Sequence, residues 1–247
     1  MDIALLVLVA LAAFTVEANL GFGSLIIAVA LGSLLLPIEE LLPALLPLNL
    51  VLSAHIVVRH RRELELRWLL RRVLPLMVAG LPVGMLLLHT SDERLLKALL
   101  GVFVVALSAA ELRRARGGAP VGGRPLAPLA RTGLLVAAGI VHGAFATGGP
   151  LAVYVAGRSG LHKGAFRATL SALWLGLNTA LLGSFALAGT LSAESARRTL
   201  LLAGPLLLGL ALGERLHRRV DATLFRRLVF VLLLLAGAAL AVDALVT

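Results

Sequence analysis

The chain has 247 residues, of which 60% are hydrophobic and 15% are charged, and its mean hydropathy is +0.99. A soluble domain cannot bury that much apolar surface, so the composition excludes a soluble globular protein and indicates an integral membrane protein. The formal net charge of +10 lies mainly between the apolar segments, which is typical of membrane topology and anionic-lipid contact and argues against nucleic-acid binding. The absence of cysteine excludes disulfides, thiolate metal sites and a cysteine nucleophile.

The first apolar segment, residues 2–36, has neither the basic start nor the cleavage site of a signal peptide, so we predict that it remains in the membrane. Its apolar run is broken at Gly21-Phe22-Gly23-Ser24. This break predicts a helical hairpin with arms of only ~24 Å each at about 1.5 Å per residue. Three uninterrupted helices are predicted next, at 41–58, 73–89 and 95–111.

A Gly- and Pro-rich segment at residues 112–131 is predicted to link two membrane halves, residues 1–111 and 132–247. The second half also opens with a predicted hairpin, over residues 132–157, which is broken at Thr147-Gly148-Gly149-Pro150. Each hairpin consists either of two short crossings or of a re-entrant loop. Three more helices are predicted at 164–188, 199–213 and 228–245.

The basic residues indicate how the helices are oriented. Four segments hold 19 of the 23 Lys and Arg residues: 59–72, 113–131, 158–167 and 215–227. The positive-inside rule places these segments in the cytoplasm and both chain termini outside.

The two halves align with each other, which indicates an internal duplication. Leu20 to Leu25 falls on Ala146 to Leu151 at a shift of 126, and Leu48-Asn49 falls on Leu177-Asn178 at a shift of 129. The topology makes the two copies inverted, as in many transporters. The predicted fold class is therefore an all-α integral membrane protein with two inverted repeats, each opening with a helical hairpin broken at a Gly-rich turn.

Each Gly-rich turn is predicted to start a new helix near the middle of the membrane. A helix N-terminus carries unpaired amide donors and a partial positive charge, so two converging N-termini would form an anion site. Alternatively, the glycines only allow close helix packing. Gly80-x-x-x-Gly84 and Gly209-x-x-x-Gly213 lie within uninterrupted helices and are interpreted as packing positions.

Polar residues inside the spans are few, and each has a functional and a structural interpretation. Glu17 either carries a proton or holds the first turn, and His142 is either a proton relay or ligand contact or a satisfied core residue. Arg167 is either a gate or a snorkelling side chain, and the predicted proton-coupling or gating residues are Glu17, His142 and Arg167. The predicted substrate-binding residues are Asn19, Gly21, Gly23, Ser24, Asn49, Thr147, Gly148, Gly149, Tyr154 and Asn178, with Ser53, Thr169 and Trp174 as weaker candidates.

The sequence contains no metal-binding His pair at helical spacing, no Gly-x-Ser-x-Gly elbow and no Walker-type phosphate loop. We therefore expect no enzymatic activity, no metal and no cofactor. Transport driven by ATP would need a separate subunit.

Three sequence features together resemble the sulfite exporter TauE/SafE family of membrane permeases over nearly the whole chain. They are the Gly-rich turn early in each half, the basic stretch Arg59-His60-Arg61-Arg62, and Gly164-Ala165-Phe166-Arg167-Ala168-Thr169 at the start of a long helix. Ser24 and Pro150 stand where this family often has further glycines. The resemblance implies secondary transport of small anions, chiefly sulfite, organosulfonates and related sulfur compounds, and usually export across the bacterial inner membrane.

The resulting hypothesis is an alternating-access carrier with proton or membrane-potential coupling. Its expected partners are a small anionic substrate and membrane lipids, and self-association stays open. The alternative is a non-catalytic membrane scaffold or assembly factor, which would have a dry interface between the turns. An intramembrane enzyme is a third class without a supporting motif.

Overall fold

The computed structural model describes residues 3–20, 22–116, 126–217 and 222–246. Within these residues the regular structure is helical: α1 Ile3–Leu20, α2 Ser24–Gly32, α3 Ile38–Arg59, α4 Leu66–Thr90, α5 Glu93–Arg116, α6 Pro128–Phe145, α7 Gly149–Ala156, α8 Lys163–Leu187, α9 Ala193–His217 and α10 Ala222–Val246. A 3₁₀ turn at Arg61–Glu63 follows α3, and α4 contains a π-helical turn at Leu69–Val73.

Six of the described helices are long and apolar enough to cross a membrane, and α1 and α10 contain shorter apolar segments. Helices suit this environment because each backbone donor and acceptor is satisfied within its own segment. Leucines such as Leu86, Leu187, Leu200 and Leu235 are exposed on the outer surface of the bundle, where lipid replaces water. The prediction of an all-helical, multi-pass membrane protein is confirmed.

The two segments predicted as hairpins have arms of unequal length, and the first hairpin therefore differs from the expectation of ~24 Å for each of its arms. Helices α1 and α6 have 18 residues each, or ~27 Å at about 1.5 Å per residue. Helices α2 and α7 have nine and eight residues, or only ~13 Å. As helices, the second arms are too short to cross a hydrocarbon core of about 30 Å.

Helices extend into the predicted linker, residues 112–131, from both sides. Helix α5 continues to Arg116, and α6 begins at Pro128, where proline costs little because the first helical amide has no intrahelical acceptor. Likewise, α9 extends beyond the predicted 199–213 at both ends, since charged residues at helix ends reach the membrane surface.

The helices pack in reciprocal pairs. Helix α1 packs on α9 and α6 packs on α4, while α3 contacts α8 and α5 contacts α10. The short helix α2 lies against α1 and α3, and α7 lies against α6. Large buried side chains, among them Phe14, Ile27, Leu45 and Phe185, form the main core.

Glycines bring the paired helices into backbone contact. A Cβ added at Gly80 or Gly84 of α4 would overlap carbonyl oxygens of α6, and one added at Gly209 of α9 would lie 3.0 Å from Phe14 Cβ and Thr15 N of α1. The interpretation of both Gly-x-x-x-Gly pairs as packing positions is confirmed.

Candidate functional site

Two breaks in the helical chain lie beside each other in the interior. At the first, α2 begins at Ser24, preceded by Gly23 in the left-handed region at φ 112°. At the second, Ala146 ends α6 at φ 53° and α7 begins at Gly149. Pro150 occupies the first turn of α7, where its missing amide donor would have no intrahelical acceptor.

At the first break, a buried carboxylate accepts hydrogen bonds from the start of α2. Glu17 Oε2 accepts from the Ser24 amide at 2.9 Å and from the Ser24 hydroxyl. Asn49 Nδ2 of α3 donates to Glu17 Oε1 at 3.0 Å and to Oε2 at 3.1 Å. Arg167 lies near enough to interact electrostatically with the carboxylate. Glu17 thus provides a negative charge at the positive end of α2.

A chain of amides connects this carboxylate to the second half of the molecule. Asn178 Nδ2 of α8 donates to Asn49 Oδ1 at 2.7 Å, and Ser53 Oγ donates to the same oxygen at 3.3 Å. These side chains are almost fully buried. The network joins α1, α2, α3 and α8 through hydrogen bonds in a low-dielectric interior, where each bond is strengthened.

At the second break, several buried polar groups have no hydrogen-bond partner. These groups are both ring nitrogens of His142, Thr147 Oγ1, Trp174 Nε1 and Asn178 Oδ1, and each residue is at most 5% exposed. The Asn178 carboxamide lies next to His142, but the two do not have hydrogen-bond geometry. The His142 and Trp174 rings stack with centroids 5.9 Å apart. Unpaired buried polar groups are costly, and in native proteins they mark sites for water or ligand.

A cavity lies between the two breaks. It is lined by Glu17, Phe22, Gly23, Leu25, Ile26, Asn49, His142, Ala146, Thr147, Gly149, Pro150, Trp174 and Asn178. The centre of a water molecule can occupy about 20 Å³ of it, which is room for one or two waters. The site is therefore a small internal cavity with a bonded carboxylate on one side and unpaired polar groups on the other.

Most of the predicted residues lie at this cavity. Seven of them line it directly: Glu17, Gly23, Asn49, His142, Thr147, Gly149 and Asn178. Ser24 is bonded to Glu17, and a Cβ on Gly148 would overlap the Ala138 carbonyl oxygen, so Gly148 packs on α6. Asn19 is buried in the last turn of α1. Gly21 lies outside the described residues.

Two predicted residues lie elsewhere. The ring of Tyr154 lies between the guanidinium groups of Arg114 and Arg158, at 4.2 and 3.7 Å from its centroid. Arg167 Nη2 donates to the Ala18 carbonyl oxygen at 3.0 Å, which ties the start of α8 to the end of α1. Neither residue lines the cavity.

The cavity lining also includes Trp174, which the sequence marked only as a weaker candidate. Five further lining residues were not predicted as site residues, and all are apolar: Phe22, Leu25, Ile26, Ala146 and Pro150. The rarity of tryptophan, with two in the whole chain, is the one sequence signal that could have raised Trp174. The apolar residues carry no such signal, because apolar side chains occur along every span. Among the described residues, no group of three or more His, Asp or Glu side chains could hold a metal ion.

The residues that follow the basic stretch 59–62 pack against the start of α8, where the motif 164–169 lies. Thr169 Oγ1 accepts from the Glu65 amide at 3.0 Å, and a Cβ on Gly164 would overlap the Glu63 carboxylate. His60 Nδ1 lies 3.2 Å from Glu63 Oε1. The loop after α3 is thereby held on the first turns of α8, near Arg167.

The sulfite exporter TauE/SafE family model matches residues 6–240. No curated protein and no solved structure matches the chain significantly. The match spans both helix breaks, the residues of the amide network and nearly all of the packed helix pairs α1–α9 and α4–α6. The family relationship therefore covers the whole site. The chain therefore belongs to the sulfite exporter TauE/SafE family, and it is a membrane transport protein of that family.

Proposed function

We propose that this protein is a secondary transporter that exports small sulfur-containing anions, such as sulfite or organosulfonates, by alternating access. The observation that carries the proposal is the cavity between the two helix breaks, where His142, Thr147 and Trp174 present unpaired polar groups. Family membership supports transport of sulfur anions. The substrate, the outward direction and the location in a bacterial inner membrane, with both termini outside, are parts of the proposal.

The anion site belongs at the second break rather than equally at both. The start of α2 already binds the Glu17 carboxylate, which accepts a hydrogen bond from the Ser24 amide. At the start of α7, Thr147 and Trp174 line the cavity and offer unpaired hydroxyl and indole donors. The Glu17 carboxylate lines the same cavity, but the donors from which it accepts belong to α2 and α3. Unpaired donors that line a buried cavity at a helix N-terminus favour an anion. We infer that Glu17 acts as an internal anion opposite the substrate.

We further propose that residues 1–111 and 132–247 form inverted repeats joined by residues 112–131. In this arrangement α1 is equivalent to α6, and α4 is equivalent to α9. The packing of α1 on α9 and of α6 on α4 supports it, because each of these two contacts becomes the other when the two halves are exchanged. The direct bond between Asn49 and Asn178 also supports it, since these residues align at a shift of 129. In such folds, substrate sites lie at the repeat interface near the midplane.

The described cavity is too small for a sulfite ion, since it has room for only one or two waters. The transport cycle therefore requires a second conformation in which α7 and α8 separate from α2 and α3 around the site. Alternating access supplies this motion, because one half of an inverted-repeat carrier rocks against the other.

Coupling follows from the charges. An anion entering the cavity meets the Glu17 carboxylate, and like charges in a low dielectric repel strongly. A proton on Glu17 would relieve this repulsion. Independently, an inside-negative potential drives net negative charge outward by about 2.3 kcal/mol per charge per 100 mV. We propose that the potential drives export and that Glu17 makes the rate depend on pH.

A non-catalytic scaffold is the competing function. A scaffold predicts a dry, well-satisfied interface between the turns. Four buried residues with unpaired polar atoms around one cavity would be costly in such a protein, and this cost favours transport.

The transport proposal is tested with purified protein in liposomes loaded with sulfite. We expect efflux to accelerate under an imposed inside-negative potential and to respond to a pH gradient. Glu17→Gln should keep the response to potential and lose the response to pH. Normal behaviour of Glu17→Gln under both gradients would reject the role of Glu17, and efflux that responds to neither gradient would reject coupled transport.

The anion site is tested by the thermal stabilisation that sulfite, sulfoacetate, taurine and thiosulfate produce. Gly149→Leu should abolish this stabilisation, because its side chain would extend into the cavity beside Trp174. Gly133→Leu is the matched control, since Gly133 lies on α6 with open space around it. If the anions stabilise both variants equally, the second break has only a packing role.

A further inference from the structure

A second cavity lies apart from the proposed transport site, between the starts of α4 and α6 and the end of α7. It is lined by Trp68, Arg72, Leu126, Arg131, Val155, Arg158 and Ser159. The centre of a water molecule can occupy about 220 Å³ of it, compared with about 20 Å³ at the first cavity. This space is sufficient for a group several times larger than water.

The lining is strongly cationic. Arg72, Arg131 and Arg158 come from three basic segments that are far apart in the sequence, and the described residues that line the cavity include no carboxylate. Arg131 Nε is buried without a hydrogen-bond partner. Guanidinium groups in one cavity repel each other, and a buried unpaired N–H of a charged group costs free energy. Both effects are relieved by an anion with several acceptor oxygens.

The rest of the lining distinguishes among anions. Leu126 and Val155 provide apolar surface, and Trp68 adds an indole, which prefers the membrane–water interface. Guanidinium groups match the oxygens of phosphate in a bidentate geometry. A cationic cavity with an apolar wall, between helices on the side of the membrane that carries most basic residues, suits a phosphate group attached to a lipid.

We propose that this cavity binds the phosphate of an anionic phospholipid headgroup between Arg72, Arg131 and Arg158. The bound phosphate would connect α4, α6 and the end of α7. The Arg158 guanidinium also donates to the Tyr154 carbonyl oxygen at 3.2 Å. The lipid would therefore hold the short helix whose opposite end lines the transport cavity.

The test measures lipid binding to the delipidated full-length protein by native mass spectrometry. The probes are phosphatidylglycerol, phosphatidylcholine, inorganic phosphate and glycerol 3-phosphate. We expect the first phosphatidylglycerol to bind at least tenfold more tightly than phosphatidylcholine. Arg131→Gln should weaken this first binding event by roughly tenfold or more, since hydrogen bonds to charged groups are worth about 1.5–3 kcal/mol.

Two further variants distinguish binding at a specific site from attraction by the general positive charge of the surface. Arg72→Gln changes an exposed side chain, so folding should be unaffected, and it should weaken binding in the same direction as Arg131→Gln. Arg71→Gln removes an adjacent exposed charge that does not line the cavity, and it should change affinity only a few-fold.

The two soluble probes identify the source of the phosphate. Displacement of phosphatidylglycerol by millimolar inorganic phosphate or glycerol 3-phosphate would support phosphate binding at this cavity and would identify a soluble phosphate as the ligand. Equal losses in Arg71→Gln and Arg131→Gln, or equal binding of the zwitterionic lipid, would overturn the proposal.

Discussion

Asn178 of α8 donates a 2.7 Å hydrogen bond to Asn49 of α3, so two residues 129 positions apart connect the proposed repeats. The two asparagines are not equivalent in their other contacts. Asn49 also donates to Glu17 and to Ser24, whereas Asn178 keeps an oxygen without a partner. This difference leads to the first prediction.

Asn49→Ala should lower the free energy of unfolding by about 2–3 kcal/mol, because it leaves a buried carboxylate with fewer donors. Asn178→Ala should cost only about 1 kcal/mol, a value typical of a hydrogen bond between membrane helices. SDS-induced unfolding in mixed micelles measures both values. Ser108→Ala is the control, since its buried hydroxyl has no partner and its removal should change little. Equal losses in both asparagine variants would contradict the network described here.

The second prediction concerns packing between α4 and α6. A Cβ added at Gly143 would overlap the Leu81 carbonyl oxygen, whereas Gly133 on the same helix has open space. Gly143→Ala should therefore destabilise the protein by about 1–3 kcal/mol through overpacking. Gly133→Ala should be neutral or stabilising by up to about 1 kcal/mol, through the higher helix propensity of alanine. Thermal unfolding in detergent measures both variants, and a stable Gly143→Ala protein would mean that the helices can separate at this point at little cost.

The third prediction compares the glycines of the two helix breaks. Gly23 has φ 112°, a region that L-residues rarely adopt, so Gly23→Ala should cost roughly 1–2 kcal/mol although there is space for its methyl group. Gly149 lies in the first turn of α7, and an added Cβ would lie 3.6 Å from the Trp174 ring, an ordinary contact. Gly149→Ala should therefore change stability by less than about 0.5 kcal/mol. Thermal unfolding distinguishes the pair, and equal stability would show that the first break has relaxed to another conformation.

The fourth prediction isolates the indole N–H of Trp174. This donor is buried without a partner, so Trp174→Phe should cost less than about 1.5 kcal/mol of stability while retaining an aromatic ring against His142. If the N–H binds the substrate anion, KM for efflux should rise roughly tenfold, which corresponds to the loss of about 1.4 kcal/mol from a charge-assisted hydrogen bond. Ser108→Ala is the control, because the buried Ser108 hydroxyl also has no partner but does not line the transport cavity, so KM should be unchanged. An unaltered KM in Trp174→Phe would show that the indole N–H does not bind the substrate.

The sequence by itself was sufficient for the membrane class, the presence of the long helices and the packing role of Gly80, Gly84, Gly209 and Gly213. These properties depend on local composition, because a continuous apolar run must form a helix in lipid and a glycine pair on one helix face permits close approach. It was also sufficient to select seven of the residues that line the cavity. In a highly apolar span, a polar side chain is rare enough to stand out.

Only the tertiary structure decided how those residues are used. It placed the Glu17 carboxylate on the Ser24 amide and left His142, Thr147 and Trp174 without partners. It also moved Tyr154 out of the site, between Arg114 and Arg158, and joined three distant basic segments around one cavity. The physical reason is that a side chain's hydrogen bonds and charges depend on which helix faces it, and those partners lie tens to more than a hundred residues away in the chain.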